Sequence, residues 1–149
     1  MTVRDKDNGL RALLDRVQLG KPSIDVGIFE TDGSKATENG ETVLDIATFH
    51  EFGTIDAPER SFLRAWFDEN EDRAKEALRK LLLSVVKGQR SKDQALEVFG
   101  LWLQGEVQKR ISQGISPALA PSTIAKKGSS VPLIDTGQLR ASVTYRVKR

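Results

Sequence analysis

The sequence predicts an α+β fold, with a small, mainly antiparallel β-sheet and two long helices packed on one face. Two observations carry that prediction. Residues 58–87 and 92–113 repeat apolar side chains at intervals of three and four, the period of an amphipathic helix. Residues 23–30 and 142–147 alternate apolar and polar positions instead, the period of a half-buried strand. A length of 149 residues, 38% hydrophobic and 30% charged, fits a single domain over 1–149 with a modest core.

Taken in order, Leu10, Leu13, Leu14 and Val17 recur at helical spacing, with Gly20 as a stop and Pro22 beyond it. The segment 23–30 follows as a strand with Ile24, Val26 and Ile28 on one face. Residues 31–41 contain Gly33, Asn39 and Gly40 and almost nothing apolar, which predicts an exposed, mobile loop. In 42–52 the spacing of Val43, Ala47 and His50 favours a helix ended by Gly53, although its β-branched residues would also suit a strand.

The longest helix is predicted over 58–87. Phe62, Trp66, Asn70, Ala74, Leu78, Leu81 and Val85 form its stripe, Pro58 stands at its start and Gly88 past its end. Glu69–Arg73 and Glu76–Lys80 place opposite charges one turn apart, marking a wet face. The second long helix, 92–113, turns Leu96, Phe99, Leu103, Val107 and Ile111 inward and stops at Gly114. Trp66 and Trp102 read as core anchors rather than a cofactor box. Pro117, Pro121, Gly128 and Pro132 make 115–132 loop-like, with one turn at 122–126.

The segment Asp135-Thr136-Gly137 has the form of an aspartic protease loop, but only about a dozen residues follow Gly137, too few for a flap and the remaining strands. Asp135 instead reads as a helix cap, with Gln138 completing a capping box before a short helix 136–141 and the strand 142–147. In that strand Val143, Tyr145 and Val147 share a face, and pairing with 23–30 completes a sheet with open edges. Other catalytic constellations are thin. The one histidine, His50, cannot form a His-Glu-x-x-His zinc helix, no Gly-x-Ser-x-Gly elbow or phosphate-cradling loop occurs, and there are no cysteines. The chain is therefore expected to be a non-enzyme without cofactor or metal. No apolar run is long enough to span a membrane, and the N-terminal residues lack a signal peptide's apolar core.

Charge is unevenly distributed. Residues 1–58 carry 6 basic and 11 acidic side chains, residues 59–110 carry 11 and 9, and residues 111–149 carry 6 and 1. An acidic end and a basic end suit head-to-tail contact between copies, with Arg146, Lys148 and Arg149 as interface candidates. Nucleic-acid contact by the basic end is the competing reading, although Tyr145 is its sole aromatic. Plain solvation is the third. Arg60 and Arg64 sit one turn apart near a predicted helix start, where positive charge opposes the macrodipole. They call for partners in Glu51, Asp56 or an acid of a neighbouring subunit, so Glu51, Arg60 and Arg64 are interface candidates as well.

The stretch Ala47-Thr-Phe-His-Glu-Phe-Gly-Thr-Ile-Asp-Ala-Pro-Glu-Arg-Ser-Phe-Leu-Arg64, followed by a long charged helix, resembles the neck or tail-completion (head–tail connector) proteins of tailed bacteriophages. Four blocks in order carry the resemblance: Glu51-Phe52-Gly53-Thr54, the run from Pro58 to Arg64, Pro121-Ser-Thr123-Ile124-Ala-Lys126, and the run from Pro132 to Leu139. They extend over most of residues 24–147 and also fit prophage-encoded copies. The resemblance implies a virion protein assembled in the host cytoplasm, forming a ring of six copies where head and tail join. The implied partners are further copies of itself and the adjacent neck, head-connector and tail-terminator or tail-tube proteins. DNA would pass through the channel without sequence-specific binding. Within these blocks Gly53, Pro58, Asp135 and Gly137 are structural positions, Gly53 permitting a chain reversal that a side chain would obstruct.

Overall fold

Residues 9–17, 21–34, 40–55, 57–115 and 137–148 are described by the computed structural model. In chain order the elements are α1 (Leu10–Val17), β1 (Ser23–Gly27), α2 (Glu30–Gly33), α3 (Val43–Phe52), α4 (Arg64–Val86), α5 (Lys92–Gln113), α6 (Gln138–Ser142) and β2 (Thr144–Lys148). β1 and β2 pair antiparallel, with Ser23 opposite Lys148 and Gly27 opposite Thr144. This is the expected α+β arrangement. α5 lies against both strands and α4 packs alongside α5.

The sheet is two-faced, as the alternation requires. Ile24 opposes Val147 and Val26 opposes Tyr145. Ile24 and Val26 pack on the core, and Tyr145 lies on Gly100 of α5, where a Cβ would come within 2.2 Å of the ring. The phenol donates to Glu97 at 3.0 Å. The other face is polar: Lys148 pairs with Asp25 at 2.5 Å, and Arg146 lies 3.9 Å from the centroid of Phe29 while donating to Thr31. The strand predicted over 23–30 is shorter than expected because its partner begins at Thr144, and the ladder stops where Gly27 meets that residue.

α5 forms over the residues expected of it. Ser91 and Gln94 make a reciprocal capping box and Gly114, at φ 79°, ends the helix. Ala95, Leu96, Phe99, Leu103, Val107 and Ile111 are buried. Phe99, Leu103, Val107 and Ile111 build the core with Val43 and Ala47 of α3, Phe62, Trp66, Leu139 and Val143. Trp66 is buried and meets Trp102 edge to face at 5.9 Å, so both tryptophans are core aromatics.

Three departures from the sequence reading have local causes. Residues 31–33, expected within a mobile loop, join Glu30, expected at the end of a strand, in a helical turn whose Gly33 is buried against Ile28 and Leu44. Residues 35–39 lie outside the described residues. α4 starts at Arg64, six residues after Pro58, for a reason taken up below. It bends at Asn70 (φ −125°, ψ 19°), whose amide donates to the Trp66 carbonyl at 2.9 Å. An otherwise helical stripe therefore contains a kink with an identifiable cause. α6 starts at Gly137 in the left-handed region, with φ 75°. Gln138, expected as the third helical residue of a capping box, is instead the first, directly after Gly137; Asp135, the block around Pro121 and all of the loop-like segment 115–132 beyond Ile115 lie outside the described residues.

Candidate assembly surface

The segment that carries the resemblance folds around one carboxylate. α3 is started by a reciprocal pair: the Thr42 hydroxyl accepts from the Asp45 N–H at 3.1 Å, and the Asp45 carboxylate accepts from the Thr42 N–H at 3.0 Å. The Thr42 hydroxyl and backbone N–H hold the Asp45 carboxyl below its ordinary value of 3.8. The last turn of α3 then delivers Glu51 to the core side. Its Oε1 accepts from the Ser61 hydroxyl at 2.7 Å and from the Arg64 N–H at 2.8 Å. Its Oε2 accepts from the N–H groups of Phe62 and Leu63 at 3.0 and 3.1 Å.

The first N–H groups of a helix have no intrahelical acceptor and attract negative charge. Here the acceptor comes from another helix rather than from a neighbouring residue. That is why α4 begins at Arg64: the chain before it is held out of the helix so that the N–H groups of Phe62, Leu63 and Arg64 reach Glu51. The Ser61 hydroxyl contributes by accepting from the Ala65 N–H at 3.0 Å.

Between the two blocks the chain makes a tight reversal. Gly53 has φ 74° and ψ 175°, and a Cβ there would lie 2.9 Å from the Glu59 nitrogen and 3.1 Å from the Ala57 oxygen. Only glycine fits both the dihedral and the space. The Thr54 N–H donates to the Ala57 carbonyl at 2.8 Å, and the Ala57 N–H donates to the Thr54 hydroxyl at 3.0 Å. The Arg60 N–H donates to the His50 carbonyl at 2.8 Å, tying the outgoing strand of the reversal back to α3.

Outside this anchored base the surface is apolar. Phe49, Phe52 and Ile55 are 44%, 65% and 102% exposed. Phe49 and Phe52 are three residues apart on one helix face, and Ile55 stands at the tip of the reversal. Arg64 lies at the rim, 5.6 Å from the Phe52 centroid and ion-paired with Glu59. Three large apolar side chains exposed on one helix end and the turn after it make this the candidate contact surface of the chain.

The interface residues expected from sequence are thus sorted. Glu51 and Arg60 are buried, and the Glu51 carboxylate is used within the chain, so neither presents its charge to a neighbour; this corrects their assignment as interface residues. Arg64 is exposed beside the apolar patch. Arg146 and Lys148 are exposed, but each already has a counterpart on the polar sheet face. Arg149 and Asp56 lie outside the described residues. The sequence reading missed Phe49, Phe52 and Ile55, although a Phe-x-x-Phe-x-x-Ile spacing outside the buried stripe of α3 was a visible signal.

The remaining polar clusters are structural. Two Arg–Glu forks bridge α4 and α5 on either side of the kink: Arg110 on Glu69 at 2.6 and 2.9 Å, and Arg73 on Glu106 at 2.5 and 2.9 Å. The hollow beside them, about 440 Å³ and lined by Glu59, Ser61, Ala65 and Glu69, is open to solvent. Among the described residues no group of three or more His, Cys, Asp or Glu side chains is placed to hold a metal. No helix there is long and apolar enough to cross a membrane. Comparison with known protein families, curated proteins and solved structures finds no match to this chain.

Proposed function

We propose that this protein is a structural subunit of the neck of a tailed bacteriophage or prophage, of the tail-completion type. It self-associates into a ring at the head–tail junction, around the channel through which DNA passes, and contacts the adjacent head-connector and tail proteins. The observation that carries the reading is the anchored reversal 53–58. The two sequence blocks shared with that family are joined through Glu51, and their joint product is an ordered apolar protrusion instead of a cleft. Structure invested in presenting hydrophobic side chains to solvent serves association between proteins.

A nucleic-acid-binding accessory protein is the reading from another class. It is disfavoured because Lys148 is neutralised by Asp25 and Arg146 is stacked on Phe29, leaving the basic strand without a line of phosphate-ready cations. Size-exclusion chromatography with light scattering separates the two. The proposed subunit forms a discrete oligomer and does not retard duplex DNA at physiological salt. A stable monomer that retards DNA, with affinity falling steeply as salt rises, would overturn the neck assignment.

A further inference from the structure

We infer that Asn70 is a positioning residue for assembly. Its side chain bends α4, and the bend fixes the angle between the reversal that presents Phe49, Phe52 and Ile55 and the far end of the α4–α5 hairpin. This inference rests on the ring-forming reading above and deepens it by naming the residue that sets the shape of the subunit.

Asn70 stands where the stripe of α4 calls for an apolar side chain. Trp66 before it and Ala74, Leu78 and Leu81 after it all pack on the core, and Asn70 itself is half-buried. Asparagine is also a poor helix former. The hydrogen bond of its amide stays within α4 instead of tying α4 to another element. It reaches the Trp66 carbonyl at 2.9 Å, and the backbone at Asn70 leaves the helical region (φ −125°, ψ 19°). A side chain bonded to the carbonyl four residues back competes with the helix's own ladder and bends it. A residue that breaks the pattern of its element in this way is of the kind that function retains.

The two halves of α4 stand on α5 separately. The Glu69–Arg110 fork lies on one side of Asn70 and the Arg73–Glu106 fork on the other, while α5 is unbroken from Lys92 to Gln113. Partly exposed ion pairs hold a geometry without imposing one, because each is weak beside a run of helical hydrogen bonds. The angle between the halves is therefore left to Asn70. The first half begins at Arg64 on the Glu51 carboxylate and forms one piece with the end of α3 and the reversal 53–58. The second runs to Val86 and the turn into α5, and α1 packs on α4. From Asn70 to Val86 the helix is a lever of about 24 Å, so removing a bend of about 20° displaces its end by roughly 8 Å. Ring closure depends on the rotation between neighbouring copies, which such a displacement changes.

The test uses the full chain, which has no cysteine of its own. Thr48→Cys on α3 and Gln89→Cys after α4, both exposed positions, carry spin labels. Their distance is read by pulsed electron paramagnetic resonance in protein diluted with unlabelled chains. Asn70→Leu restores the stripe and the helical ladder, whereas Asn70→Ser keeps a donor for the Trp66 carbonyl. In the Leu variant the distance should change by about 5 Å or more. Self-association should weaken about tenfold or more, with the circular dichroism spectrum and melting temperature retained. The Ser variant should keep the wild-type distance and association. Asn70→Ala is measured alongside and decides the outcome if the Leu variant does not fold. An unchanged distance in these variants would mean that packing sets the bend, and would overturn the inference. A changed distance with wild-type association would overturn it too, and leave the ring-forming reading standing. Association that falls only in step with stability, without rescue by Ser, would also refute it. A wild type that stays monomeric at every concentration would sink both.

Discussion

The Glu51 carboxylate accepts the backbone N–H of Arg64 at 2.8 Å, thirteen residues further along the chain, and so the end of one helix sets the start of the next. The same group takes the N–H groups of Phe62 and Leu63 and the hydroxyl of Ser61. A single side chain therefore fixes the angle between α3 and α4 and holds the reversal that presents Ile55.

Replacing that carboxylate should be among the most damaging single changes. Glu51→Ala leaves several buried or half-buried donors without an acceptor, at about 1–3 kcal/mol for each that water cannot reach. A total loss of about 3–5 kcal/mol in denaturant unfolding is expected. Glu51→Gln keeps one acceptor oxygen and should fall between Ala and wild type. A Glu51→Ala protein with wild-type stability would show that the carboxylate does not hold α4.

Gly53→Ala tests the reversal itself. The substitution meets both an unfavourable φ and backbone atoms within 2.9–3.3 Å of the new Cβ. The backbone would have to move, so a loss of about 2 kcal/mol or more is expected. Because the strain falls on the turn that carries Ile55, self-association should weaken even at temperatures where the variant remains folded. Full stability with full association would contradict this account.

Much of this fold was legible because its signals are local. The apolar spacing of α5 and its stop at Gly114 lie within one segment, and its bounds follow from them. The start of α4 was not legible in the same way. Pro58 looks like a local helix start, but the acceptor that decides the boundary is Glu51, brought from another element by tertiary folding. The assignment of Glu51 and Arg60 to a subunit contact failed for the same reason, since pattern alone does not reveal which charges the core consumes. The protrusion could have been found: Phe49 and Phe52 fall off the Val43–Ala47 stripe, and large apolar residues on the wrong side of an amphipathic helix ask for a partner.

Close packing between α5 and β2 predicts a sharp response at Gly100. A methyl group there would sit 2.2 Å from the Tyr145 ring, so Gly100→Ala must displace the ring and break its hydrogen bond to Glu97. Overpacking of this kind costs about 1–3 kcal/mol. Tyr145→Val, which removes the ring, should make the second change at Gly100 much less costly. A double-mutant cycle in thermal unfolding checks this: additive effects would mean that the two residues do not press on each other.

The Arg110–Glu69 fork gives the last prediction, a pH dependence with a defined direction. Hydrogen bonding from Arg110 is the main cause that holds the Glu69 carboxyl below its ordinary value of 4.5. A carboxyl depressed in the folded state stabilises the fold when it is ionised in both states. Its contribution is therefore complete above about pH 4.5 and is lost as pH falls through the lower folded value. Glu69 is 59% exposed, which keeps the effect small and sensitive to salt. Glu69→Gln should lower the melting temperature slightly at neutral pH and flatten its decline on acidification. The difference from wild type should vanish at low pH, where both side chains are neutral. A difference that grows as the pH falls would have the wrong sign for this linkage and would remove Glu69 from the acid response.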